Sequence, residues 1–264
     1  MKKYIALLLA MVYIMFSVYA CAEEFALRGY NKKQGYQYVQ LGEFPQEADG
    51  TVRPILWRVL SVDEAQAYLL SEYILFNNRI HPDDQEYIAF EAAFNQTEMF
   101  RLLNGPFEGN PISHEEQAKL KERERLGRVH IAEICFKDQA FTAAEQSMLI
   151  SDEALGMVFL ASADDLKNSA MGFTGAKQRQ AYGSEYALAN GLFRYQNGTS
   201  PYWTRSQSVS YTYATRCTKV DGNLGYIRCV VMNEGCRPAV RLSLEGLSPI
   251  GGSGTMEDPY TFAR

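Results

Sequence analysis

Residues 55–70 read ILWRVLSVDEAQAYLL, and this stretch sets the fold class. Two short apolar runs, Ile55–Leu60 and Ala67–Leu70, stand on either side of the polar segment Asp63–Gln66. Apolar runs of this length around a short polar segment are typical of a β-hairpin. The stretch therefore predicts two antiparallel strands near the start of the folded chain.

Further strand signals stand on both sides of this hairpin. Tyr36–Phe44 alternates weakly between apolar and polar residues, with Val39 and Leu41 on one face. The last third of the chain contains four more strand-like segments. They are Trp203–Ser206, Ser208–Val220, Gly225–Met232 and Ala239–Leu244.

The middle of the chain is predicted to be helical, because helix-capping signals recur there. In each signal, an Asn, Ser or Thr precedes an acidic residue by three positions. The pairs are Asn95 with Glu98, Ser113 with Glu116, Thr142 with Glu145, and Ser162 with Asp165. The order along the chain is therefore strands, then helices with one short strand candidate at Met157–Leu160, then strands again. This order predicts one α+β domain that is closed by its two ends.

Composition supports a folded domain and excludes one class of partner. The 264 residues are 47% hydrophobic and 12% aromatic, whereas disordered chains are poor in aromatic residues. The formal net charge is -5, which excludes a generally basic nucleic-acid binder. We therefore expect no nucleic-acid partner.

Residues 1–22 have the layout of a secretory signal peptide, with Lys2 and Lys3 before the apolar run Ile5–Val18. This run is shorter than the roughly 20 residues of a membrane-spanning helix, and no second long apolar run follows, so we expect no transmembrane span in the mature chain. Two processing routes stay open: cleavage after Ala22, or lipidation of Cys21 in a segment similar to a lipobox. Both predict an extracytoplasmic protein that is secreted, periplasmic or anchored by lipid.

Four cysteines follow this leader: Cys135, Cys217, Cys229 and Cys236. Cys217 and Cys229 are equidistant from Asn223, which lies in a predicted turn. A hairpin centred on Asn223 would place them directly opposite each other, with Cβ atoms about 4.5–5.5 Å apart, close to the roughly 3.5–4.5 Å of a disulfide. We expect a disulfide between them, and two buried thiols are the alternative. A pairing of Cys135 with Cys236 follows only by elimination.

Seven short blocks of sequence occur in a fixed order along the chain. They are Tyr38–Gln46, Pro54–Leu60, Leu69–Leu75, Phe100–Asn104, Val158–Ser162, Trp203–Ser206 and Gly235–Val240. In order and spacing, they resemble the DUF6273 family of bacterial extracytoplasmic domains over residues 36–244. Two blocks depart from the family pattern, because no Trp precedes Leu103-Asn104 and Cys236 stands where Val is usual.

This resemblance implies a domain at residues 36–246, after an N-terminal linker at 23–35 and before a glycine-rich tail at 247–264. The last two blocks are also similar to C-type-lectin-like domains of the sulfatase-modifying-factor kind. That similarity implies a single domain with short antiparallel strands, long loops and neighbouring termini, and it gives no function by itself. The Glu-Pro-Asn and Trp-Asn-Asp signatures of calcium-dependent sugar binding are absent from the sequence.

The same two blocks contain the candidate ligand-binding residues Trp203, Arg205 and Arg237. An aromatic face can stack on a sugar ring, and Arg can donate two parallel hydrogen bonds to a carboxylate. In the alternative interpretation, Trp203 belongs to the core and the two arginines pair with buried acids or carbonyl oxygens.

No motif in the sequence predicts a catalytic residue, a metal site or a cofactor. No histidine lies four residues from another, no Cys-x-x-Cys occurs, and Ser206 lies outside any Gly-x-Ser-x-Gly motif. We therefore expect an exported bacterial cell-envelope protein that binds a glycan, a peptide or an envelope partner without catalysis. The alternatives are an envelope enzyme on a C-type-lectin-like scaffold and a purely structural envelope protein.

Overall fold

The computed structural model describes residues 26–82, 94–105, 135–208, 210–211 and 213–263. The predicted leader at residues 1–22, with Cys21, and the predicted helix cap at Ser113 lie outside these residues. The described chain forms one domain that is rich in antiparallel sheet and has few helices. The predicted α+β class is confirmed at that level.

The first sheet has five strands, and every neighbouring pair in it is antiparallel. Their spatial order is β1 (Tyr38–Pro45), β2 (Val52–Val62), β3 (Gln66–Ser71), β12 (Pro238–Ser243) and β5 (Val158–Leu160). The predicted β2–β3 hairpin is confirmed, with Val59 opposite Leu69. Asp63 closes its turn by accepting hydrogen bonds from the amides of Ala65 and Gln66, each at 2.9 Å.

The second sheet also has five strands, in the order β10 (Leu224–Arg228), β9 (Ala214–Thr218), β8 (Tyr202–Gln207), β11 (Gly235–Cys236) and β4 (Phe76–Asn77). Strands β8 and β11 are parallel, and the other neighbours are antiparallel. Two small ribbons complete the described strands. They pair β6 (Ala181–Tyr182) with β7 (Thr199–Ser200), and β13 (Ser248–Gly251) with β14 (Thr261–Ala263).

The predicted register of the β9–β10 hairpin was wrong. Cys217 pairs with Gly225 rather than with Cys229, and no disulfide joins Cys217 to Cys229 in the structure. The cause is the turn, which is centred on Asp221 because Gly222 has a φ of +81° and packs against Ala176 so closely that no Cβ would fit. The carbonyl of Cys229 instead accepts hydrogen bonds from the amides of residues 80 and 81.

The described helices are short. They are α1 (Glu98–Asn104), α2 (Phe136–Ala140), α3 (Ala143–Ser147), α4 (Ala176–Arg179) and α5 (Glu185–Ala189). Three of the five, α1, α3 and α5, begin at a side-chain cap. The predicted capping box of Thr142 and Glu145 is confirmed at α3. Helix α1 begins later than predicted, because Thr97 rather than Asn95 accepts the capping hydrogen bond from the amide of Phe100.

The two sheets share one apolar core, in which aromatic side chains meet. Phe44 of β1, Phe76 of β4 and Phe136 of α2 are mutually in contact, with ring centroids 5.0–6.1 Å apart. Burying such a side chain contributes about 1.5–3 kcal/mol, and aromatic pairs contribute about 0.5–1.5 kcal/mol more. These contacts hold the two sheets together.

Both ends of the described chain pack against the first sheet. Tyr38 donates its amide to the carbonyl of Gly254 at 2.9 Å, and Gln40 donates to that of Tyr260 at 2.8 Å. These bonds cover the open edge of β1, which would otherwise expose unpaired backbone groups. At the other end, Tyr30 donates its amide to the carbonyl of Leu60 in β2 at 3.1 Å.

Candidate functional site

A polar cavity of about 180 Å³ opens on one face of the first sheet. We call it the arginine pocket. Its lining residues are Ser61, Asp63, Gln66, Tyr68, Phe159, Asp165, Met171, Arg205 and Arg241. Of the three predicted ligand-binding residues, Arg205 lines this pocket, and Trp203 and Arg237 do not.

Sheet pairing aligns the floor of the arginine pocket. Tyr68 of β3 stands opposite Ser61 of β2 on one side and opposite Arg241 of β12 on the other. Residues that stand opposite each other point to the same face of a sheet, so these three side chains form one polar row. Their neighbours along each strand, such as Leu69 and Leu242, point to the other face and are buried.

Arg205 reaches the arginine pocket from the second sheet, where β8 passes the end of β5. Its amide donates to the carbonyl of Ala161 at 3.1 Å, and its Nη1 donates to the carbonyl of Leu160 at 2.6 Å and to Asp165 Oδ2 at 2.9 Å. This strand crossing therefore joins the two sheets and fixes the guanidinium of Arg205 at the wall of the pocket.

Asp165 holds the wall of the arginine pocket together. Its Oδ2 accepts hydrogen bonds from the amide of Ser162 at 2.7 Å and from the hydroxyl of Tyr68 at 3.0 Å, besides the bond from Arg205. Burial, and next the charge of Asp165, raise the pKa of Tyr68 above its ordinary value. Tyr68 therefore keeps its proton and acts as a donor.

Two guanidinium groups lie against the ring of Phe159. The Cζ atoms of Arg205 and Arg241 are 5.6 Å and 5.4 Å from its centroid, within the range of a cation–π contact. The Nη1 of Arg241 forms an ion pair with Asp152 Oδ2 at 2.6 Å. The side chains of Arg205 and Arg241 are 20% and 31% exposed, so both are partly accessible at the pocket.

Trp203 and Arg237 lie in the core instead. Trp203 is 0% exposed and donates its indole N–H to the carbonyl of Asn78 at 2.6 Å. Arg237 is 1% exposed, donates its Nε to the carbonyl of Ser71 at 2.8 Å and lies against the ring of Tyr202. Burial lowers the pKa of Arg237 from its ordinary value. Neither side chain reaches a surface where a ligand could contact it.

Sequence reasoning missed Tyr68, Phe159, Asp165 and Arg241 as pocket residues. One signal could have identified Arg241, since it is the charged residue in the otherwise apolar run Ala239–Leu244 and so faces away from the core. The partners of Arg241 carry no such signal, because they come from distant parts of the chain.

Two further observations on the described residues concern metal binding and membrane spanning. Within them, no three His, Cys, Asp or Glu side chains are grouped so that they could hold a metal ion. None of the described helices is long and apolar enough to cross a membrane.

Fold and pocket together define a single domain of mostly antiparallel sheet with a small polar cavity on one face. The chain belongs to the family described as "Domain of unknown function (DUF6273)", which matches residues 64–244. The predicted family is thereby confirmed, and five of the seven sequence blocks lie inside the match. Searches of curated proteins and of solved structures found no match.

Proposed function

We propose that this protein is an exported bacterial cell-envelope protein that binds a neutral glycan in the arginine pocket without catalysing a reaction. The observation that carries the proposal is the set of donors and acceptors around Phe159. Arg205 and Arg241 line the pocket with partly exposed guanidinium groups, and a carboxylate neutralises each of them. Sugar hydroxyls both donate and accept hydrogen bonds, so they match this mixed set.

The balance of charge favours a neutral ligand over an anionic one. Asp165 pairs with Arg205, Asp152 pairs with Arg241, and Asp63 adds a third carboxylate at the rim. An anion would approach three negative charges as well as two positive ones. A neutral, hydroxyl-rich ligand has no such repulsion to overcome.

The size of the arginine pocket limits what it can hold. Its volume of about 180 Å³ is below the roughly 300–1,000 Å³ of pockets for drug-sized ligands. One sugar ring suits this space better than an oligosaccharide does. The rest of a glycan chain would therefore lie outside the pocket.

Export and scaffold belong to the same proposal. The layout of residues 1–22 supports secretion, by signal cleavage or with a lipid anchor at Cys21. Short antiparallel strands and chain ends that both pack on the first sheet support a C-type-lectin-like scaffold. On such a scaffold, an envelope glycan is a ligand that the exported protein can reach.

A glycan array tests the proposal. We expect the protein to bind neutral glycans on the array, and Arg205→Met and Arg241→Met to lose that binding. Arg53→Met is the matched control, because Arg53 is an exposed arginine outside the pocket, and it should bind like the unmodified protein. Mass spectrometry of a bound glycan before and after incubation should show no change of mass.

Two results would contradict the proposal. The first is a protein that binds no neutral glycan, or that binds acidic glycans alone. The second is a glycan whose mass changes on incubation with the unmodified protein and stays constant with the Arg205 variant, which would favour the envelope-enzyme alternative.

A further inference from the structure

Three exposed tyrosines form a continuous aromatic patch on the second sheet, which we call the tyrosine surface. Tyr211, Tyr213 and Tyr226 are 48%, 40% and 37% exposed. The ring centroid of Tyr211 lies 5.9 Å from that of Tyr213 and 5.8 Å from that of Tyr226. Exposed aromatic rings in contact are a feature of interaction sites, because each offers a rigid apolar face and a polar tip.

Arg216 supports this surface from the neighbouring strand. It stands opposite Tyr226 in the β9–β10 pair, and its Cζ lies 5.5 Å from the ring centroid of Tyr226. Its Nε is buried and has no hydrogen-bond partner among the described residues. Any contact of Arg216 with a ligand therefore runs through its other guanidinium nitrogens.

The tyrosine surface and the arginine pocket are connected through adjacent strands. The hydroxyl of Thr204, the residue before Arg205, donates to the carbonyl of Arg216 at 2.8 Å. Arg205 belongs to β8, and Arg216 belongs to the adjacent strand β9. Neighbouring strands are about 4.8 Å apart, so the backbones of the two residues are one strand apart.

The charge of Arg216 also acts on a residue beside the arginine pocket. A hydrogen bond and the charge of Lys167, and then the charge of Arg216, lower the pKa of Asp164. Asp164 immediately precedes Asp165 of the pocket wall, so the charge of Arg216 acts on the residue next to that wall.

We propose that the arginine pocket and the tyrosine surface form one extended site for a neutral polysaccharide chain. In this arrangement, one sugar ring enters the arginine pocket, Arg216 donates to hydroxyl groups of the chain, and following rings stack on Tyr226 and Tyr211. The proposal rests on the proposed function, because it takes the pocket as the site for one ring. It adds that ligand length, rather than the pocket alone, sets the affinity.

The test is calorimetric titration with neutral oligosaccharides of one to six units from three series: maltose-type, cello-type and chito-type. In any series that binds, we expect affinity to rise with each unit until the chain spans both regions. Tyr226→Ala should weaken binding of the six-unit chain by about tenfold, the effect of losing one good aromatic contact. The same variant should leave binding of the single sugar within about twofold, a change too small to count as a lost contact.

Two controls keep this test specific. Tyr226→Phe keeps the ring and should restore binding of the long chain. Tyr195→Ala removes an exposed tyrosine that is not part of the tyrosine surface, and it should change nothing.

The possible failures are distinguishable. Arg205-dependent binding of the single sugar with no gain from added units, or equal loss in Tyr195→Ala and Tyr226→Ala, would overturn the extended site and leave the proposed function standing. No binding in any of the three series would overturn both.

Discussion

The core and the arginine pocket both hold arginine against an aromatic ring, and they differ in access to water. In the core, Arg237 lies 5.3 Å from the ring centroid of Tyr202 and is closed off from solvent. In the arginine pocket, Arg205 and Arg241 lie at similar distances from Phe159, but their side chains are 20% and 31% exposed. The contact to the ring is alike in both regions, so it does not distinguish a structural arginine from one that can bind a ligand.

The hydrogen bonds of these arginines make that distinction. Arg237 is buried, and its bond to the carbonyl of Ser71 joins β11 and β12 to the end of β3. Arg205 and Arg241 each bond to the protein through Nη1 and remain partly exposed at the pocket. Under the proposed function, the arginines that bind the ligand are the two that line the pocket and stay partly exposed.

The largest expected effect comes from truncating Trp203 in the core. Trp203→Ala should lower the free energy of unfolding by about 3–5 kcal/mol, because it leaves a cavity in the core and an unpaired carbonyl at Asn78. Unfolding in urea measures this loss. Tyr182→Ala, which truncates an exposed ring, should stay within about 0.5 kcal/mol of the unmodified protein. A loss below 1 kcal/mol for Trp203→Ala would show that this region is not core.

Local patterns predicted much of the fold. The β2–β3 hairpin and the capping box at Thr142 each depend on neighbours within a few residues. The predicted β9–β10 register was wrong because contacts outside the hairpin determine it. Its turn is fixed by contacts of Gly222 with Ala176 and with Arg179, whose Nε donates to the carbonyl of Gly222 at 2.7 Å. No sequence pattern within the hairpin predicts those contacts.

The candidate site was harder to predict than the fold, because distant segments build it. Tyr68 and Arg241 are neighbours only because β3 pairs with β12, and Arg205 joins them where the two sheets cross. The sequence indicated Trp203, Arg205 and Arg237 by residue type and by their place in two motif blocks, and neither feature says which of the three side chains faces solvent. Strand alternation does carry that information, as the half-buried Arg241 between the buried Val240 and Leu242 illustrates.

A second prediction uses Glu234, a buried acid in the same region as Trp203. Its Oε2 has no hydrogen-bond partner among the described residues, and burial raises its pKa from 4.5 to about 7. Since the folded state holds this proton more tightly than the unfolded chain, the stabilisation is complete below pH 4.5 and is lost as the pH rises to about 7. The loss over this window should be about 3 kcal/mol.

Urea unfolding at several pH values measures this contribution. Glu234→Gln cannot ionise, so it should remove this part of the pH dependence and be more stable than the unmodified protein at pH 8. Glu47→Gln is the control, because Glu47 is a surface residue paired with Arg53, and it should keep the pH dependence. Equal curves for the Glu234 variant and the unmodified protein would contradict the prediction.

The smallest expected effect on stability is in the arginine pocket. Arg241→Met keeps an unbranched side chain against Phe159 and removes an ion pair to Asp152 that is about one-third exposed. Such pairs contribute about 0–1 kcal/mol, so the free energy of unfolding should fall by no more than about 1 kcal/mol. Urea unfolding measures the change in stability, and the glycan array measures the change in binding. If binding is lost while stability is kept, the pocket differs from the core as we infer. If Arg241→Met is destabilised as strongly as Trp203→Ala, the arginine pocket is a structural element like the region around Arg237, and exposure of the guanidinium does not mark a binding site.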